Sequence, residues 1–178
     1  VSRTGWQAGG AGTIFVQTND QPGLLLVDNG TRNGATSLVS LGTLADVMIS
    51  GGGRVQPSGT FSPRNLTIAT NSALIGSYQT LLNFTVTGDL TIQSGGVLTL
   101  DSLGYDPLTV FGPGAGGYYS SGGNPYPCGG GGHGGYGAAG SVANASGGNA
   151  YGSQTSPTTF GSAGGKYFSG PAYSIGGN

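Results

Sequence analysis

Glutamate is missing from this chain altogether, and lysine, histidine, cysteine, methionine and tryptophan occur once each. Each shortage removes a class of function. With Cys128 as the only cysteine, an internal disulfide and a multi-cysteine zinc site are excluded, and the thiol is left to bridge two subunits or to sit idle. Five scattered basic residues against six aspartates make no electrostatic footprint, so neither nucleic acid nor an anionic membrane surface is an expected partner. No apolar run approaches the roughly 20 residues needed to span a bilayer, so membrane insertion is not expected either. Acid and base groups are too sparse for an enzyme. The chain opens at Val1 without a methionine, as expected of a processed product or one piece of a longer precursor.

What is present is unevenly distributed. Nine of the eleven charges precede Tyr105: Arg3, Asp20, Asp28, Arg32, Asp46, Arg54, Arg64, Asp89 and Asp101, with only Asp106 and Lys166 beyond it. About a third of the residues from Tyr105 onward are glycine, interspersed with tyrosine and proline. This shift divides the chain into a β-rich body, 1–104, and a glycine- and tyrosine-rich extension, 105–178, packed on the body or on neighbouring subunits.

In the body, short apolar runs alternate with Thr and Ser and are cut by glycine, the pattern of strands rather than helices. Candidate strands are 12–18, 24–28, 37–41, 46–50, 65–69, 81–87, 89–93 and 97–100. The segments at Asp46-Val47-Met48-Ile49, Asn65-Leu66-Thr67-Ile68 and Asn83-Phe84-Thr85-Val86 recur at intervals of 19 and 18 residues. That interval is about one coil of a β-solenoid, with Val47, Leu66 and Phe84 forming one inward ladder and Ile49, Ile68 and Val86 another. Evenly spaced strands of a β-sandwich produce similar partial repeats. The fold class is therefore all-β, with a solenoid or a sandwich as the body.

The extension poses a different problem. Ordering glycine costs more backbone entropy than ordering any other residue, and eight tyrosines cannot offset that over so long a segment. Backbone hydrogen bonding is the remaining source. Extended polyproline-II-like segments make no internal hydrogen bonds, so glycine-rich ones can lie close together and bond laterally. Pro113, Pro125, Pro127, Pro157 and Pro171 would fix bends. Tyr118, Tyr119, Tyr126, Tyr136, Tyr151, Tyr167 and Tyr173, with Cys128, are the candidate intersubunit contacts. An irregular loop wrapped over the sheet is the plainer alternative.

Other chemistry fails on the residues themselves. His133 stands among glycines five residues after Cys128, with no third group nearby to orient a catalytic pair, so a packing or hydrogen-bonding role is expected. Asp89 and Asp101 are 12 apart and not on matched strand positions, which disfavours a carboxylate pair. Asp28-Asn29-Gly30 reads as a turn. The stretch 112–165 has no aspartate for calcium-binding turns, and no Gly-Lys-Ser or Gly-Lys-Thr makes a phosphate loop. Thr67 and Thr85 align at the 18-residue interval, whereas Thr87 and Thr91 do not, so a regular threonine face is not evident. No cofactor or metal is expected. Sequons at Asn29, Asn65, Asn83 and Asn144 are candidate N-glycosylation sites and fit a secreted chain.

Gly9-Gly10-Ala11-Gly12-Thr13-Ile14-Phe15-Val16, Leu25-Leu26-Val27-Asp28-Asn29, 89–100 and Gly131-Gly132-His133-Gly134-Gly135, with Tyr151-Gly152-Ser153, Pro157 and Gly161-Ser162, together resemble a glycine-rich repeat unit. That unit occurs in very large secreted microbial surface or adhesin-like proteins and extracellular fibres. The resemblance implies an extracellular or cell-surface structural protein whose main partner is itself, as one register of a tandem array or filament. A mastigoneme-like setting is one such context. The alternative reading is a surface adhesin or glycan-binding module, with tyrosines stacking on sugar rings.

Overall fold

The computed structural model describes residues 9–41, 45–101, 103–105, 111–117, 128–141, 145–153, 155–156 and 158–165. Every regular element among them is a strand: β1 Gly12–Val16, β2 Leu24–Asp28, β3 Ser37–Val39, β4 Asp46–Ser50, β5 Arg54–Pro57, β6 Leu66–Ile68, β7 Ala73–Ile75, β8 Leu90–Ile92 and β9 Val97–Thr99. Among the described residues no helix is long and apolar enough to cross a membrane. The chain divides into two compact units, Val1–Ser77 with Leu82–Thr99, and Tyr78–Leu81 with Leu100–Asn178.

The first unit is a β-solenoid of about three turns. One sheet runs β1-β2-β4-β6-β8 and the other β3-β5-β7-β9, so each coil contributes one strand to each sheet. Every pairing is parallel except β1 on β2, which is antiparallel. Parallel neighbours in register point their side chains to the same face. Leu25, Val47, Leu66 and Leu90 therefore form one inward ladder, Val27, Ile49, Ile68 and Ile92 a second, and Val55, Leu74 and Leu98 a third on the opposite sheet. The middle rungs are the core: Val47, Ile49, Val55, Leu66, Ile68 and Leu74 are all buried. This arrangement settles the choice left open by the repeat, because a sandwich would pair its strands largely antiparallel.

The corner between the two sheets explains the regular glycines. In three coils the turn closes with a bond three residues long: Gly53 N–H to Ser50 O at 2.9 Å, Ser72 N–H to Ala69 O at 3.1 Å and Gly96 N–H to Gln93 O at 2.8 Å. Counting three residues on from the Ile49, Ile68, Ile92 rung reaches Gly52, Asn71 and Gly95, with φ of 79°, 59° and 80°. All three occupy the left-handed region, which glycine enters freely and asparagine tolerates.

The third rung departs from the interval that the repeat predicts. Phe84 and Val86 are not the third rung; Leu90 and Ile92 are. The step from Val47 to Leu66 is 19 residues, whereas the step from Leu66 to Leu90 is 24, because the third coil carries a longer connection. That connection runs beside the preceding one. Phe84 bridges Phe61 in parallel and stacks on its ring at 4.9 Å, while Thr85 N–H donates to Phe61 O and Thr87 N–H to Pro63 O, both at 3.3 Å. Alternating apolar residues mark any segment with one side on the core, so pattern alone could not tell this third side from a strand. By the same correction Thr67 lies beside Thr91, not Thr85.

Candidate functional site

The second unit has no strand among its described residues, yet it is densely bonded. Segment 128–133 bonds through its backbone to four others. Gly132 N–H donates to Gly114 O at 2.7 Å, Gly130 N–H to Ala138 O at 2.8 Å, Gly148 N–H to Gly130 O at 2.9 Å and Gly165 N–H to Gly129 O at 2.7 Å. A strand has only two edges, so one segment bonded to four neighbours is not part of a flat sheet. The spacing says what it is instead. Bonds between the same two segments recur three residues apart: Gly129 to Gly117 and Gly132 to Gly114, then Gly137 to Gly148 and Gly140 to Ala145. Three residues per turn is the polyproline II repeat, whose amides and carbonyls radiate around the axis instead of alternating in one plane.

Glycine is required there for close approach. A Cβ on Gly116, Gly129, Gly137, Gly147, Gly148 or Gly165 would stand well inside contact distance of a backbone carbonyl in a neighbouring segment. None of these six has a positive φ, so conformational freedom is not the reason for them.

A line of side-chain hydrogen bonds ties this bundle together. Gly114 N–H donates to Ser162 Oγ at 2.9 Å, Ser162 Oγ donates to Tyr151 Oη at 2.8 Å, and Tyr151 in turn donates to Phe160 O. Burial pushes the Tyr151 phenol above its ordinary pKa, and the Ser162 hydrogen bond opposes that rise. His133 sets its ring edge-on to Tyr151 at 4.9 Å and places Nε2 3.0 Å from Thr159 Oγ1. The histidine is thus engaged in packing and hydrogen bonding within its own unit. Ser162 and Thr159 carried no signal in sequence, since each stands far along the chain from its partner.

The other candidate residues are scattered. Tyr136 is exposed at 82 % between two glycines, and Cys128 is half-buried. Tyr118, Tyr119, Tyr126, Tyr167, Tyr173 and Asn144 lie outside the described residues. Asn29 Nδ2 donates to Arg32 O within the Asp28-Asn29-Gly30 turn. In that turn Asp28 accepts from Ser50 Oγ at 2.6 Å and Gly30 N–H at 2.7 Å, and these bonds hold its carboxyl below the usual range. Asn65 Nδ2 donates to Asp46 Oδ1 at 3.0 Å, and its Oδ1 accepts from Asp89 N–H at 2.8 Å. Asp46 also receives Arg64 in a two-pronged ion pair, with Nε at 2.8 Å from Oδ1, and the guanidinium is the main reason its pKa is lowered. Among the described sequons only Asn83 is exposed, and its side-chain amide takes part in no hydrogen bond among the described residues.

The two ends of the solenoid differ from its middle. The first coil is covered: β1 pairs along β2, Ala11 packs on the core, and Ser37 Oγ donates to Ala11 O at 3.3 Å. At the other end the inward rungs emerge. Leu66, Ile68 and Leu74 are fully buried, whereas their register partners Leu90, Ile92 and Leu98 are 46, 46 and 38 % exposed. Phe15 of β1 shares the inward face with Leu25 and is 58 % exposed. No charge and no proline occurs in β1, β8 or β9, although such residues commonly protect an exposed edge from pairing.

No family model matches the chain, nor does any curated protein or solved structure.

Proposed function

We propose that this chain is an extracellular structural protein, a subunit or repeat of a filament or surface appendage, that assembles through backbone hydrogen bonding and aromatic packing. The observation that carries this reading is the kind of bonding both units use. Each is a stack of laterally bonded segments, and a stack of that kind extends by adding another layer wherever an edge is unguarded. The resemblance to repeat units of secreted microbial fibres supports the same reading, and the sequons fit export. His133 and Tyr151 are engaged in holding the glycine bundle, in keeping with a structural role rather than an enzymatic one. The test is sedimentation of the purified chain with electron microscopy of the same sample. Concentration-dependent, regular filaments are expected; a monodisperse particle at every concentration overturns the proposal.

A second reading, a surface adhesin or glycan-binding module, is favoured by one observation. The Tyr136 ring is exposed at 82 % between two glycines, which leaves it open to stack on a sugar ring. Binding on a glycan array that is lost in Tyr136→Ala would support this reading over assembly.

A further inference from the structure

We infer that β8, the last strand of the five-stranded sheet, is a docking edge for β1 of a second copy, so that copies join head to tail along the solenoid axis. This deepens the assembly reading and rests on it.

Three features select the occupant. The ladder β2-β4-β6-β8 keeps one register through successive coils and then stops with its inward rung exposed, so the missing layer is a strand carrying core-directed apolar side chains. β1 lies at the opposite border of the same sheet: its inner edge is bonded to β2, and its core-directed face carries Phe15, more than half exposed, beside Thr13. Both strands are free of charge and proline, so neither edge rejects the other. Because β1 runs antiparallel to the coil strands, it would add antiparallel to β8. Phe15 of one copy would then cover Leu90 and Ile92 of the next. Two different surfaces at opposite ends make a heterologous contact, which builds an open filament when the rotation between successive copies does not close a ring.

The test uses the full chain with two substitutions, Ile92→Lys on β8 and Phe15→Lys on β1. Both sites are about half exposed, so the fold should tolerate them, whereas a buried ammonium would weaken the joint roughly tenfold or more. Each variant alone is expected to sediment as a monomer at concentrations where the parent chain polymerises. An equimolar mixture is expected to form a heterodimer and stop there, because it holds one intact β8 edge and one intact β1 edge. Heterodimer formation also shows that both variants are folded. Variants that polymerise like the parent overturn the docking edge but leave assembly standing. Folded variants that do not pair when mixed, or that pair without limit, overturn the docking edge as well. A parent chain that stays monomeric overturns both proposals. If its β8 amides are also protected from exchange, another part of the same chain already covers that edge.

Discussion

The two units of this protein use the same resource, lateral backbone hydrogen bonding, and fill the space between layers in opposite ways. In the solenoid the inward ladders of Val, Leu and Ile exclude water, and the backbone bonds form at the margin of that core. In the glycine unit the backbone is itself the interior, with carbonyls standing where side chains would otherwise be. Burial of apolar surface is roughly proportional to area, so the solenoid should answer to the size of a lost side chain. Close main-chain packing has no such slack, so the glycine unit should answer to the size of a gained one.

That contrast is broken most severely by Leu66→Ala, which removes a fully buried rung between Val47 and Leu90. A loss of about 2–5 kcal/mol is expected, measured by chemical denaturation, with faster amide exchange in β4 and β6. The mirror experiment is Gly148→Ala, whose new methyl would collide with the Gly114 carbonyl. The same chemical change that is mild in most cores should cost about 1–3 kcal/mol here. Gly59→Ala is the control, since a Cβ there meets nothing within 4 Å. If Gly148→Ala and Gly59→Ala are equally tolerated, the interior of the glycine unit is not close-packed backbone and the comparison fails.

Much of the first unit was legible in the sequence because its physics is written in side chains. Alternating Val47-Met48-Ile49 and Leu66-Thr67-Ile68 gave strands, registers and one coil length correctly. β5 and β7 are not legible in the sequence because Arg54-Val55-Gln56-Pro57 sets a charge and a proline beside Val55, and Ala73-Leu74-Ile75 is too short to alternate. The false rung at Phe84 arose because an insertion changes the interval without changing the pattern. In the second unit composition pointed to lateral bonding of polyproline-II-like segments, but which glycine faces which carbonyl depends on tertiary approach that no local pattern encodes. The Gly114, Ser162, Tyr151 line was invisible for the same reason.

Tyr151→Phe sharpens the comparison at a place where the glycine unit relies on a side chain. It removes the bonds to Phe160 O and from Ser162, with an expected cost of about 1–2 kcal/mol. The parent phenol has its pKa raised by burial, so the folded state holds this proton more tightly than the unfolded state does. Its contribution is fully present below about pH 10, the unfolded value, and is lost as pH rises through the folded value. Stability measured from pH 8 to 11 should fall less steeply in Tyr151→Phe than in the parent. Identical slopes would mean that the phenol is not held protonated by the fold.

The smallest expected effect tests whether any backbone rule is shared between the units. At the solenoid corner Gly52, Asn71 and Gly95 stack in one register with positive φ, but for different reasons. A Cβ on Gly52 would stand 2.7 Å from the Arg32 carbonyl oxygen, whereas one on Gly95 would find its nearest atom at 3.6 Å. Gly52 is therefore held by space as well as by φ, in the manner of the glycine unit, while Gly95 is held by φ alone. Asparagine already occupies the middle corner, so Gly95→Asn should change stability by less than about 0.5 kcal/mol. Asn71→Ala should cost about 1 kcal/mol, because alanine lacks asparagine's tolerance of the left-handed region. Thermal unfolding of Gly95→Asn and Gly52→Asn side by side decides the point. If both are tolerated, the corner is governed by φ throughout, and close backbone packing belongs to the glycine unit alone.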